Sequence, residues 1–122
     1  MPDSNNTKKY DLEERTFHFA KDVRNFVKYL PKNIANTEDG RQVVKSSWSV
    51  GANYIEANES LSRKDFLMRI KISRKEAKET KYWLRIIDVH DNEDLNKSRL
   101  DLIQEASELM NIFGSILNKT KE

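Results

Sequence analysis

Five cations, Lys71, Arg74, Lys78, Lys81 and Arg85, recur at steps of 3, 4, 3 and 4 residues, which lines them up along one side of a helix. Cations held on a rigid helix can displace counterions from a phosphate backbone, so nucleic-acid binding is the chemistry this row supports. Between Arg63 and Arg85 there are nine basic residues against three acidic ones, a net of +6. Between Asp91 and Glu108 six acids outnumber Lys97 and Arg99, a net of −4, so the overall +2 conceals a polarised chain. The same row has two blander uses. It could be a solvated face, or it could face the acidic segment within or between subunits. Interleaved aromatics of the RNP type are absent.

The other chemistry-bearing residues offer less. His18 and His90 lie on different segments, and neither has the Glu-x-x-His spacing that a carboxylate-bridged bundle metal site needs. Neither is placed as a general base for a serine, so a catalytic triad has no support. Three glycines, at 40, 51 and 114, are too scattered for a phosphate loop. There is no cysteine, hence no disulfide and no thiolate chemistry, which fits a reducing cytoplasm. Asn53 and Glu56, three residues apart, share one side of a helix. With no nucleophile or metal ligand nearby, an interfacial hydrogen-bonding role is expected of them rather than catalysis. The expectation is a non-enzyme with no catalytic residue, metal or cofactor.

These residues must be carried by helices. A chain of 122 residues suits one domain, and with 3 Gly and 2 Pro it has little material for the turns of a many-stranded fold. The mean hydropathy of −0.83 is low, yet the apolar residues are strictly periodic, which a disordered chain does not require. No apolar run reaches the length of a membrane span, so a cytoplasmic protein with no membrane partner is expected. Residues 1–9 read as a disordered, solvated tail and 10–119 as the domain. Its helices are expected at about 11–30, 37–59, 62–89 and 92–119.

The first helix carries Leu12, Phe19, Val23, Phe26, Val27 and Leu30 on one side, ends at Pro31, and turns Phe17 away. The second is expected to be capped by Asn36 or Thr37 and to bury Val44, Trp48, Gly51 and Ile55. Val43, Val50, Tyr54 and Ala57 then form a second apolar strip. The third opens with Ser62 and Asp65 at capping-box spacing. The fourth aligns Leu95, Leu102, Ala106, Leu109, Phe113, Ile116 and Leu117, with Glu93 and Asp94 at its start and lysines at its end, as the helix dipole prefers. Short connections between such helices give an all-α, antiparallel up-down-up-down four-helix bundle.

The third helix has three faces. Phe66, Ile70, Ser73, Ala77, Thr80, Leu84 and Ile87 make a narrow core seam, with the cation row to one side. Met68, Ile72, Glu79, Trp83 and Ile86 lie roughly opposite the seam. A monomer leaves that set in water, and aligned apolar residues centred on a tryptophan mark a binding surface. Together with Val50 and Tyr54 of the off-stripe strip, they are the expected oligomer interface.

The stretch from Ser46 to Ile86 resembles the 23S rRNA-intervening-sequence proteins, also called four-helix bundle proteins. The resemblance rests on Ser46 and Ser49 leading into Gly51-Ala52-Asn53, then Glu56-Ala57, Ser62-x-x-Asp65-Phe66, and Glu76-x-x-Glu79-x-x-x-Trp83-Leu84. The opening "YDLEERTFHFA" and "LPKN" are also similar to the family's first helix and turn. The resemblance implies a left-handed bundle assembling into a homopentameric barrel, in a family whose members are encoded within insertions in bacterial 23S rRNA genes; whether this gene lies in such an insertion or beside a reverse transcriptase is left open. It also implies kinship with accessory factors of diversity-generating retroelements, whose basic barrel is associated with nucleic-acid and reverse-transcriptase binding. The functional expectation is a non-enzymatic homo-oligomeric scaffold that binds structured RNA or a nucleic-acid enzyme through its cationic face. The alternative is an oligomeric protein–protein adaptor with no nucleic-acid ligand.

Overall fold

The computed structural model describes residues 4–120, with side chains from Leu12 onward. Four helices account for most of it: α1 (Ser4–Lys28), α2 (Ile34–Asn58), α3 (Arg63–Ile86) and α4 (Glu93–Thr120), and there is no strand among the described residues. Of the expected tail at 1–9, residues 1–3 lie outside the described residues, and the backbone is helical from Ser4.

Local chemistry sets the helix ends. α1 closes with tight 3.2 Å bonds from Tyr29 N to Phe26 O and from Leu30 N to Val27 O, just before Pro31. α2 starts a turn earlier than expected. Asn33 is its cap, accepting the Asn36 amide at 2.8 Å. Asn36 is instead buried and does something else. Its Nδ2 donates to Pro31 O at 3.0 Å and to Asp88 O at 2.8 Å, tying the α1–α2 turn to the α3–α4 turn. Ser62 caps α3 as expected, accepting the Asp65 amide at 3.1 Å. α3 stops at Ile86 rather than near Val89, although Ile87 and Val89 stay buried in the connection. His90 takes the left-handed turn there (φ 55°), its amide held 2.8 Å from Asp88 Oδ1. Asn92 accepts the Leu95 amide at 3.0 Å to begin α4.

The core stripes of α1, α3 and α4 are those expected from the sequence, running through Phe19, Val23 and Phe26, Ile70, Ala77 and Leu84, and Leu102, Leu109 and Phe113. Of the stripe expected on α2, Gly51 is buried, Val44 is half-buried, and Trp48 and Ile55 are not in the core. Val43, Val50 and Ala57 are buried, while Trp48 and Ile55 are each 48% exposed. The reason is close packing on both flanks. Toward α1, a Cβ on Gly51 would stand 2.8 Å from Thr16 Oγ1, and one on Gly40 would stand 3.1 Å from Val27 Cγ1. Toward α3, the Ser46 and Thr80 hydroxyls are 2.8 Å apart, and Ser73 Oγ donates to Val50 O at 2.9 Å. A tryptophan has no room on a surface that approaches two helices this closely.

The cross-helix contacts pair low numbers with high. Thr16 meets Gly51 and Val27 meets Gly40. Asn36 meets Asp88, Ser46 meets Thr80 and Asn53 meets Arg69. Arg74 lies by Gly114, and Arg99 bonds Ile87 O. Packing is most extensive between α2 and α3, then between α3 and α4, and least between α1 and α4.

Candidate nucleic-acid interface

α3 is clasped on one side by α2, through Arg69, Ser73 and Thr80, and on the other by α4. At about 100° per residue the cation row falls on the α4 side of the seam. Lys71, Arg74, Lys78 and Arg85 are exposed and Lys81 is half-buried. Between this row and α4 runs an open groove of about 630 Å³, bordered by Arg74, Lys75 and Lys78 from α3 and by Asn111, Ser115 and Asn118 from α4. Gly114 forms part of its lining, with an Arg74 guanidinium nitrogen 3.9 Å from the position of its missing Cβ.

The acidic residues of α4 form no ion pair with this row within the chain. Arg15 of α1 donates from Nε to Glu105 Oε2 at 2.7 Å, and from Nη2 to Glu105 Oε1 at 2.9 Å and Glu108 Oε1 at 2.7 Å. The hydrogen bonds to Glu105 bind the Arg15 proton more tightly than usual. Glu108 is held below the usual carboxylate range by hydrogen bonds from Gln104 and Arg15. None of the ion pairs among the described residues includes Lys71, Arg74, Lys78, Lys81 or Arg85. Glu105 and Glu108 face α1, and no acid lines the groove.

The residues expected at an oligomer interface divide. Met68 and Ile86 are 47% and 45% exposed, and Glu79 is exposed. Ile72 and Trp83 are half-buried, with the Trp83 ring edge-on to Tyr82 at 5.2 Å. Val50 is misassigned, and Tyr54 is half-buried like Ile72 and Trp83. Val50 is fully buried, and Tyr54 packs 5.9 Å from the Phe113 ring, because the strip that carries them is the one α2 turns into the core. Trp48 and Ile55 take their place outside.

Asn53 and Glu56 are not a pair. Asn53 Oδ1 accepts from Arg69 Nη1 at 2.9 Å and its Nδ2 donates to Ser49 O at 2.9 Å, which pins α2 to α3, while Glu56 is exposed. Glu76, half-buried beside α2, is pushed above the usual carboxylate range by burial and then by Glu79, with Lys75 and Lys45 opposing. His18 lies 3.7 Å from Glu14 and His90 lies 3.5 Å from Asp88, at separate places. Among the described residues no three of His, Cys, Asp and Glu gather as a metal-ligand group. No described helix is long and apolar enough to cross a membrane.

Lys75, Asn111, Ser115 and Asn118 were missed as groove residues. The steps of 4 and 3 from Asn111 to Ser115 to Asn118 are visible in the sequence, but charge counting passes over neutral side chains.

The fold and groove define an all-helical, four-helix domain with a cationic side that no ion pair among the described residues neutralises. More particularly, the chain belongs to the 23S rRNA-intervening sequence protein family, whose sequence profile matches residues 8–115. It is similar to a crystal structure from Bacteroides thetaiotaomicron, described as a protein of unknown function from the S23 ribosomal protein family. The two share 26% identity over 87% of this chain and 97% of that one, with a TM-score of 0.71. Among curated proteins nothing matches the chain.

Proposed function

We propose that this protein is a non-enzymatic, homo-oligomeric helical scaffold that binds structured RNA, or an enzyme acting on nucleic acid, through the cationic side of α3. The observation that carries the reading is the row of Lys71, Arg74, Lys78, Lys81 and Arg85, of which Arg74 and Lys78 border a groove, while Glu105 and Glu108 of α4 are engaged by Arg15. An unneutralised row of this kind gains affinity by releasing counterions from phosphates. Family membership supports the same direction, through the rRNA gene context and the retroelement kinship that the resemblance implies. An antiparallel up-down-up-down topology is supported by the low-with-high pairing of contacts.

Self-association is supported by the half-exposed Trp48, Ile55, Met68 and Ile86, which aligned on two helices are more than scattered surface residues. A homopentameric barrel is the assembly we infer from the resemblance. The same apolar side favours the second reading, an oligomeric adaptor whose ligand is a protein. RNA affinity measured across a salt series separates the two. A steep fall with salt, abolished by Lys78→Glu with Lys81→Glu, supports the nucleic-acid scaffold. Absent or salt-insensitive binding, with assembly disrupted by the same reversals, supports the adaptor. Native mass spectrometry tests the assembly: with a chain of 14.4 kDa, a pentamer has a mass of roughly 72 kDa.

A further inference from the structure

The two walls of the α3–α4 groove differ chemically. The α3 wall is cationic, from Arg74, Lys75 and Lys78, and no acid lines the groove. The α4 wall is uncharged: Asn111, Ser115 and Asn118 form one exposed hydrogen-bonding row beside the half-buried Met110. On the same helix, Ser107 and Thr120 turn their hydroxyls back onto the carbonyls of Ile103 and Ile116. Asn111, Ser115 and Asn118, lying between them, make no side-chain hydrogen bond to another described residue. Gly114 keeps the lining free of a side chain where Arg74 lies over α4.

A lysine or arginine serves any phosphodiester, RNA or DNA alike. An amide or a serine hydroxyl both donates and accepts, and so matches a group that also does both, the ribose 2′-hydroxyl, which is what distinguishes RNA from DNA at a given site. We propose that the groove is an RNA backbone site in which α3 takes the phosphates and α4 reads the ribose hydroxyls. This rests on the nucleic-acid reading above and narrows it. Arg74, Lys75 and Lys78 do the binding, and Lys81 and Arg85, which do not line the groove, contribute less.

The test uses the full chain with oligouridylate and oligodeoxyuridylate of equal length, which differ only in the 2′-hydroxyl. The wild type binds the RNA more tightly, by about fivefold for each 2′-hydroxyl bond formed. Asn111→Ala with Ser115→Ala and Asn118→Ala, all exposed helical positions where alanine preserves the fold, brings the two oligomers to equal affinity and leaves the salt slope unchanged. Lys75→Gln with Lys78→Gln weakens both oligomers and reduces the slope by about 0.7 for each phosphate that is no longer neutralised. Equal binding of the two oligomers by the wild type, or an RNA preference that survives the triple substitution, overturns the groove assignment while the nucleic-acid reading stands. So does loss of binding from Lys81→Gln with Arg85→Gln but not from Lys75→Gln with Lys78→Gln. If neither oligomer shows salt-dependent binding, the groove assignment falls, and the nucleic-acid reading is decided by the salt series on structured RNA described above.

Discussion

Asn36 of α2 grips the backbone of Asp88 from both sides: Nδ2 donates to the Asp88 carbonyl at 2.8 Å, and Oδ1 accepts from the Asp88 amide at 3.2 Å. The side chain pairs with that residue as a neighbouring strand would, and it is 3% exposed. Truncation removes both hydrogen bonds to Asp88 and the one to Pro31, each worth about 1 kcal/mol. Asn36→Ala therefore loses at least that much stability in urea unfolding. Asn36→Asp keeps the acceptor but sets a buried carboxylate oxygen against the Pro31 and Asp88 carbonyls, and at neutral pH it loses at least as much as alanine. A loss below about 0.5 kcal/mol, well under the ~1 kcal/mol of one hydrogen bond, would mean the two turns are held together by other contacts.

Two glycines should respond to alanine with opposite signs. At Gly51 the new methyl meets Thr16 Oγ1 at 2.8 Å and Thr16 Cβ at 3.0 Å, so α1 and α2 must separate. Overpacking of this kind costs about 1–3 kcal/mol. At Gly114 the nearest atom is an Arg74 nitrogen at 3.9 Å, an ordinary contact. There the helix propensity of alanine dominates, and Gly114→Ala gains up to about 1 kcal/mol. Thermal unfolding of the two variants reads both signs directly.

The reassigned faces of α2 make a third contrast. Val50→Ala removes buried methyl groups from a fully enclosed position and costs about 1.5–3 kcal/mol. Trp48→Ala, at a half-exposed position, changes subunit stability by less than about 0.5 kcal/mol. If Trp48 lies at a subunit interface, the same substitution shifts the assembly toward the 14.4 kDa monomer in native mass spectrometry.

Glu76 supplies a pH dependence. Its carboxyl titrates above the usual range when folded, chiefly because burial disfavours the charged form. Between the unfolded and folded pKa values the native state binds more protons than the unfolded one, so stability falls as pH rises through that window. Below the window the group has no such effect. Glu76→Gln should therefore equal the wild type in acid and exceed it at neutral pH. A variant less stable than the wild type at neutral pH would show that the opposing pull of Lys45 and Lys75 outweighs burial.

Helix number, the α3 seam, the α4 stripe and the Ser62 cap are all legible in the sequence, because each follows from periodicity or capping within one segment. The polarity between α3 and α4 is legible too, since it needs only charge counting. Tertiary contact decided the rest. Hydropathy placed Trp48 and Ile55 inside α2, but the approach of Thr16 and Val27 to its glycines left room only for small residues, with serines satisfied by hydrogen bonds in the seam. Whether the cations of α3 are neutralised by the acids of α4 depends on which way α4 is turned. Arg15, ninety residues away from Glu105 in sequence, holds Glu105 and Glu108 against α1, and Arg74, Lys75 and Lys78 face a neutral wall. A pairing across that distance has no local signature, so the groove exists only once the helices are packed.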